Sequence, residues 1–175
     1  MGQIKKHPPV KLVVGTIFEK ESAFNRAELI LKRHFGKIDF SSGVLAFNHT
    51  AYYEREFGID LKRKFLSFQK LILPRQLPQI KIITNKIEAQ ICQATVRQVN
   101  IDPGYLDLAK LILASTKDYK HRIYLNKGIY AEITLFYQNN SFRFWEWTYP
   151  DYKTAEYIDI FNRIREIYAQ QIKNK

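Results

Sequence analysis

The sequence predicts a single α+β domain in which a mainly antiparallel sheet packs against about three helices. Apolar runs rich in β-branched and aromatic residues recur along the chain. Asn126-Lys127-Gly128 and Asn139-Asn140 are turn signals between neighbouring runs, and three segments carry apolar residues at spacings of three and four. A length of 175 residues fits one domain, large enough to bury roughly 70% of the surface the unfolded chain exposes. Residues 1–9 form a basic, Pro-containing lead that is expected to be flexible; residues 10–172 form the domain, with no repeat or low-complexity linker dividing it.

Val10 to Phe18 is a continuous β-branched run and reads as a buried strand. A helix follows, with Phe24, Ala27, Ile30, Leu31 and Phe35 on one face, Ser22 placed to cap it and Gly36 to stop it. Val44 to Phe47 suggests a short strand, Thr50 to Phe57 is ambiguous, and Lys62 to Ile72 reads as a longer strand. Pro74 and Pro78 interrupt the backbone before a second helix whose face is Ile80, Ile83, Ile87 and Ile91. Val96 to Ile101 reads as a strand ended by a tight turn at Asp102-Pro103-Gly104, since Pro fixes φ and Gly permits a positive φ. Leu106 to Ala114 suits a strand or a buried helix. His121 to Leu125 and Ile129 to Tyr137 make a hairpin about Asn126-Lys127-Gly128, and Phe142 to Trp147 continues as a strand. Ile158, Phe161, Ile164, Tyr168 and Ile172 mark a closing helix capped by Thr154.

Composition narrows the function classes. No apolar run approaches the roughly 20 residues of a membrane span, and the N-terminal lead lacks the apolar centre of a signal peptide, so a cytoplasmic protein without membrane contact is expected. The single Cys92 cannot form an internal disulfide or a Cys-rich zinc site, and four histidines do not suggest a His-rich one. Cys92 reads as a small buried hydrophobe. Twenty-eight Lys and Arg against 17 Asp and Glu give a net charge of +11, which favours polyanionic partners. Between Leu61 and Lys86 the cations Lys62, Arg63, Lys64, Lys70, Arg75, Lys81 and Lys86 occur with no acidic residue. Lys62, Arg63, Lys64, Lys70, Lys81 and Lys86 form a candidate face for an anion or nucleic acid. The plainer alternative is a Lys-rich edge strand followed by an ordinary helix.

Reactive side chains concentrate between Val99 and Tyr152. His121 could shuttle protons, with Glu132 and Asp102 as carboxylate partners; these three are the catalytic candidates. Lys117, Asp118, Arg122, Tyr149 and Asp151 are candidate ligand-binding residues. Each has a structural alternative: Asp102, Asp118 and Asp151 suit Asx turns, and His121 suits a hydrogen-bonded, half-buried position. Strand alternation places Tyr130, Glu132, Thr134 and Phe136 on the face opposite Ile129, Ala131, Ile133 and Leu135, so a covered Glu132 would be paired, with Arg122 or Lys117 as partner. Alternation likewise separates Phe142, Phe144 and Glu146 from Arg143, Trp145 and Trp147.

The phrases NIDPGYL (Asn100 to Leu106), TKDYKHRIYL (Thr116 to Leu125), GIYAEITL (Gly128 to Leu135), WTYPDY (Trp147 to Tyr152) and FNRIREIY (Phe161 to Tyr168) together resemble the uncharacterised prokaryotic family known as domain of unknown function 4416. The resemblance runs from about Lys11 to Tyr168 and implies no activity, cofactor or catalytic residue. A phosphate-cradling GxxxxGK[ST] loop is absent from the sequence. Three functions are therefore carried forward. The first is binding of an anionic ligand, RNA or a nucleotide or phosphate, through the basic face. The others are an enzyme acting on a phosphorylated or carboxylated small molecule through a His/Arg/carboxylate pocket, and an interaction or assembly protein. No cofactor, metal or oligomeric state is specified by the residues.

Overall fold

The structure is a computed structural model, which describes residues 2–48, 60–93 and 96–173. Its centre is β1 (Lys11–Phe18), every residue of which is buried because helices cover both faces of the strand. Leu12, Val14 and Phe18 meet α1 (Glu21–Phe35) and α2 (Leu77–Gln90); Val13 faces α3 (Ala155–Lys173) on the other side. Around β1 the sheet runs β2 (Ile38–Ser41), β4 (Lys62–Phe68), β1, β5 (Val99–Leu106), β6 (Lys110–Ser115), β8 (Ile129–Gln138), β7 (Arg122–Asn126). The short β3 (Leu45–Ala46) also pairs with β4, and β9 (Ser141–Phe144) also pairs with β8, giving nine strands among the described residues. All pairings between these strands are antiparallel. The α+β class and the three helices expected from the sequence are thus present among the described residues.

Local signals explain most element ends. Gly36 at φ 91° closes α1 and donates its N–H to the Lys32 carbonyl. Lys127 at φ 55° and Gly128 at φ 75° supply the paired positive angles of a two-residue hairpin between β7 and β8. Thr154 Oγ1 accepts from the Tyr157 N–H at 3.3 Å and caps α3. Burial of Tyr157, Ile160, Phe161, Ile164 and Tyr168 then fixes α3 on the sheet, at roughly 1.5–3 kcal/mol per large apolar side chain.

Several expectations are corrected. Ser22 lies inside α1, and Lys20 takes the cap position without a side-chain hydrogen bond. β4 ends at Phe68 rather than Ile72, and is no edge strand, because β2 and β3 pair along its outer side. Thr50 to Phe57 lies outside the described residues. Lys110 to Ser115 is a strand, which settles the Leu106 to Ala114 ambiguity. β9 stops at Phe144, so the alternation assigned through Trp147 ends early, and the Trp145 and Trp147 rings stack 5.1 Å apart beyond the strand. Cys92 is half-buried at the end of α2.

The largest correction concerns Asp102-Pro103-Gly104, which is the middle of β5 and not a turn. Up to Pro103, β5 has β1 on one side and, among the described residues, no paired strand on the other, the setting in which a strand tolerates the missing proline N–H. Gly104 serves close approach: a Cβ there would lie 2.3 Å from the Ile112 carbonyl oxygen, so β6 can pass only over a glycine. Among the described residues no helix is long and apolar enough to cross a membrane.

Candidate functional site: a cleft where the sheet forks

β5 and β6 pair only from Gly104↔Leu113 to Leu106↔Leu111. Toward Val99 the first strand stays with β1, while toward Ser115 the second stays with β8. The sheet forks, and a cleft of about 700 Å³ occupies the fork. Side chains from β1, β4, α2, β5, β6, β8 and the Tyr149–Tyr152 turn line it. Arg63, Lys81, Arg97, Lys117 and Arg122 stand there against Glu88, Asp102, Glu132 and Asp151.

Arg63 is the most unusual of these, because its side chain is only 2% exposed. Its guanidinium lies over Gly15 of β1, where an added Cβ would sit 2.9 Å from Nη2. Phe47, Phe65 and Tyr152 present their rings to it at 5.7, 4.9 and 5.3 Å. Nη2 donates to Tyr152 Oη at 2.6 Å and Nη1 lies 3.7 Å from Asp102. Nε is buried without a hydrogen-bond partner among the described residues. Burial opposes the Arg63 charge, but Tyr152, Asp151 and Asp102 outweigh it and raise the pKa, so the guanidinium is permanently charged. Burial in turn pushes the Tyr152 phenol well above its ordinary value, despite the neighbouring Arg63.

On the same wall Asp102 collects Lys81 Nζ at 3.4 Å and Asn100 Nδ2 at 2.7 Å. Lys81 also donates to the Ile101 carbonyl at 3.0 Å. Glu88, reaching in from α2, accepts from the Ile101 N–H at 2.6 Å and from Arg97 at 3.1 Å. Burial lifts the Glu88 pKa above the usual carboxylate range, with Lys81, the Ile101 N–H and Arg97 acting the other way.

The opposite wall is built on Glu132, held by a bulge in β8. The register against β6 slips between Ile133 and Leu135, so Glu132 and Thr134 turn inward with Leu135 while Ile133 faces out. The expected grouping of Ile133 with Leu135 fails for that reason. Glu132 Oε2 accepts from Arg122 Nε at 2.9 Å and meets His121 Nε2 at 3.1 Å. The remaining Arg122 nitrogens donate to Ser115 Oγ at 2.9 Å, the Lys117 carbonyl at 3.0 Å and Tyr149 Oη at 3.0 Å. Burial opposes the Arg122 charge, and the bonds to Glu132 and Tyr149 more than restore it, raising its pKa.

The structure therefore brings Asp102, Lys117, Arg122, Glu132, Tyr149 and Asp151 around one cleft, and Arg122 is the partner of Glu132. His121 stands behind Glu132, outside the lining, with its ring stacked on Tyr119 at 6.0 Å and Trp147 at 5.7 Å. Asp118 is exposed and does not line the cleft. The six residues grouped as a basic face do not share one. Lys62 pairs with Glu21 at 3.5 Å and Lys64 lies over Phe24, both on the α1 side, whereas Arg63 and Lys81 are buried in the cleft. Lys70 and Lys86 are exposed. Sequence reasoning missed Glu88, Arg97, Asn100 and Tyr152. The available signal was strand alternation in Lys62-Arg63-Lys64-Phe65, which sets Arg63 with the core residue Phe65.

Fold and site together define an antiparallel α+β domain whose sheet forks around a polar cleft of mixed charge. The chain belongs to the family described as Domain of unknown function (DUF4416), whose family model matches residues 8–168. No curated protein and no solved structure matches it.

Proposed function

We propose that the protein binds a small molecule in the forked cleft, through a phosphate or carboxylate group placed against Arg63. One observation carries this: a guanidinium has five N–H donors, and buried Arg63 makes one hydrogen bond among the described residues, with Nε unpartnered. Leaving buried donors unmade is expensive, and a charged acceptor is the group that answers them best. The cleft volume of about 700 Å³ lies within the range of small-molecule sites. Division of the lysines and arginines between the α1 side and the cleft supports a compact ligand over a polyanionic strand, which needs a continuous track of cations. His121 lies outside the lining, so the proposal is one of binding.

Calorimetric titration of the full chain with glycerol 3-phosphate and with inorganic phosphate tests it. Saturable binding is expected, weakened about tenfold or more in Arg63→Lys, because a hydrogen bond to a charged group contributes roughly 1.5–3 kcal/mol. Lys81→Met gives a second variant should the first not fold. Absence of saturable binding by either probe, or folded variants that both bind as tightly as the wild type, would refute the proposal.

A further inference from the structure

Hydrogen-bond valence in the cleft points beyond a single anionic group, an inference that rests on the binding just proposed. Ser115 Oγ accepts from Arg122 Nη1 at 2.9 Å and from the Lys117 N–H at 3.1 Å. With both lone pairs occupied, all that Ser115 can still offer is its O–H proton. Tyr149 Oη accepts from Arg122 Nη2 at 3.0 Å. Glu132 Oε2 at 2.9 Å and the Lys117 carbonyl at 3.0 Å hold that guanidinium, so it cannot turn away from the two hydroxyls. Across the fork, Tyr152 Oη accepts from Arg63 Nη2 at 2.6 Å.

The same device thus stands on both walls. On each wall an arginine donates to the hydroxyl oxygen of a cleft-lining residue and leaves that hydroxyl's own proton free to be donated. We infer that the ligand is two-ended: one anionic group lies at Arg63 and Tyr152, and a second group of bare acceptor oxygens, a carboxylate or phosphate, lies at Ser115 and Tyr149. An alcohol or ammonium at the second end brings a donor that Ser115 has no lone pair left to accept. Carboxylate and phosphate oxygens bring only lone pairs. Ser115 on β6 and Arg63 on β4 lie on opposite sides of the fork that opens where the pairing of β5 with β6 stops at Gly104, and the turn that carries Tyr149 and Tyr152 reaches both, so a two-ended ligand bridges the fork.

Paired probes that differ only at the second end test this. Glycerol 3-phosphate becomes 3-phosphoglycerate, and sorbitol 6-phosphate becomes 6-phosphogluconate, when a terminal CH₂OH is replaced by a carboxylate. In at least one pair the carboxylate form should bind about tenfold tighter. Tyr149→Phe and Ser115→Ala should remove most of that gain, weakening the carboxylate form several-fold more than the alcohol form. Equal affinities within both pairs, or variants that weaken both members alike, overturn the two-ended ligand while leaving the Arg63 proposal standing. If none of the four probes binds, the Arg63 proposal falls and this inference with it.

Discussion

Gly15→Ala tests whether the cleft is built around Arg63. Gly15 sits mid-strand in β1, with ordinary extended backbone, where an alanine normally stabilises by about 0.5–1 kcal/mol. Here the new Cβ would meet Arg63 Nη2 at 2.9 Å, Phe65 Cε1 at 3.1 Å and Arg63 Cζ at 3.3 Å. Phe65 is fully buried against Tyr152, Tyr157 and Phe161 and has no room to retreat. Arg63 must therefore move, straining its bond to Tyr152. Overpacking of this kind costs about 1–3 kcal/mol, so after the backbone gain we expect a net loss of about 1–2 kcal/mol. For a domain of this size that lowers Tm by roughly 2–8 °C. Urea unfolding followed by tryptophan fluorescence measures the loss, and a double-mutant cycle with Arg63→Met assigns it: without the guanidinium, the alanine should become neutral or stabilising. The reasoning is refuted if Gly15→Ala is harmless alone, or if its cost is unchanged once Arg63 is removed.

Other positions give equally definite outcomes. Gly104→Ala should cost about 3 kcal/mol or more, because its Cβ would meet backbone, the Ile112 carbonyl at 2.3 Å, rather than a movable side chain; normal urea unfolding of the variant would contradict the close approach of β5 and β6. Glu132→Gln leaves Arg122 charged with its side chain 3% exposed, so a loss of about 3–5 kcal/mol is expected by the same measurement, and a loss under about 1 kcal/mol would show that the pair is not a buried one. Glu88 gives a pH dependence. Burial raises its folded-state pKa above the ordinary 4.5, so the native state keeps the proton to higher pH than the unfolded chain does. Its contribution to stability therefore falls as pH rises from 4.5 through the folded value. Unfolding free energies of wild type minus Glu88→Gln should decline across that window and flatten above it; a rising difference would mean a depressed pKa.

Features set by neighbours in the chain were legible in the sequence. Gly36 ends α1 because a positive φ is needed there, Lys127-Gly128 closes a hairpin, Thr154 caps α3, and the pairing of Arg122 with Glu132 follows from placing a carboxylate on a covered strand. Features set by distant segments were not. Asp102-Pro103-Gly104 has turn composition, yet the proline falls where β5 has no second partner strand among the described residues and the glycine where β6 crosses. The bulge that brings Leu135 to the inward face beside Glu132 and Thr134 is a mismatch between β6 and β8, invisible in either strand alone. Counting lysines and arginines from Leu61 to Lys86 found the charge but not its direction. Alternation along β4 sends Lys62 and Lys64 toward α1 and Arg63 toward the cleft, while Lys81 arrives from a helix. Glu88 and Tyr152 reach the site from elements far apart in sequence, and no local pattern joins them.

The most direct measurement of the Arg63 site is the arginine Nε–H region of a nitrogen-labelled spectrum, with the Arg63 signal assigned by its loss in Arg63→Lys. Addition of glycerol 3-phosphate should shift that resonance saturably, in step with the calorimetric binding curve, while chloride at the same ionic strength leaves it in place. A phosphate that binds without moving the Arg63 Nε–H signal, or a signal that chloride moves equally, would contradict anion binding at the fork of the sheet.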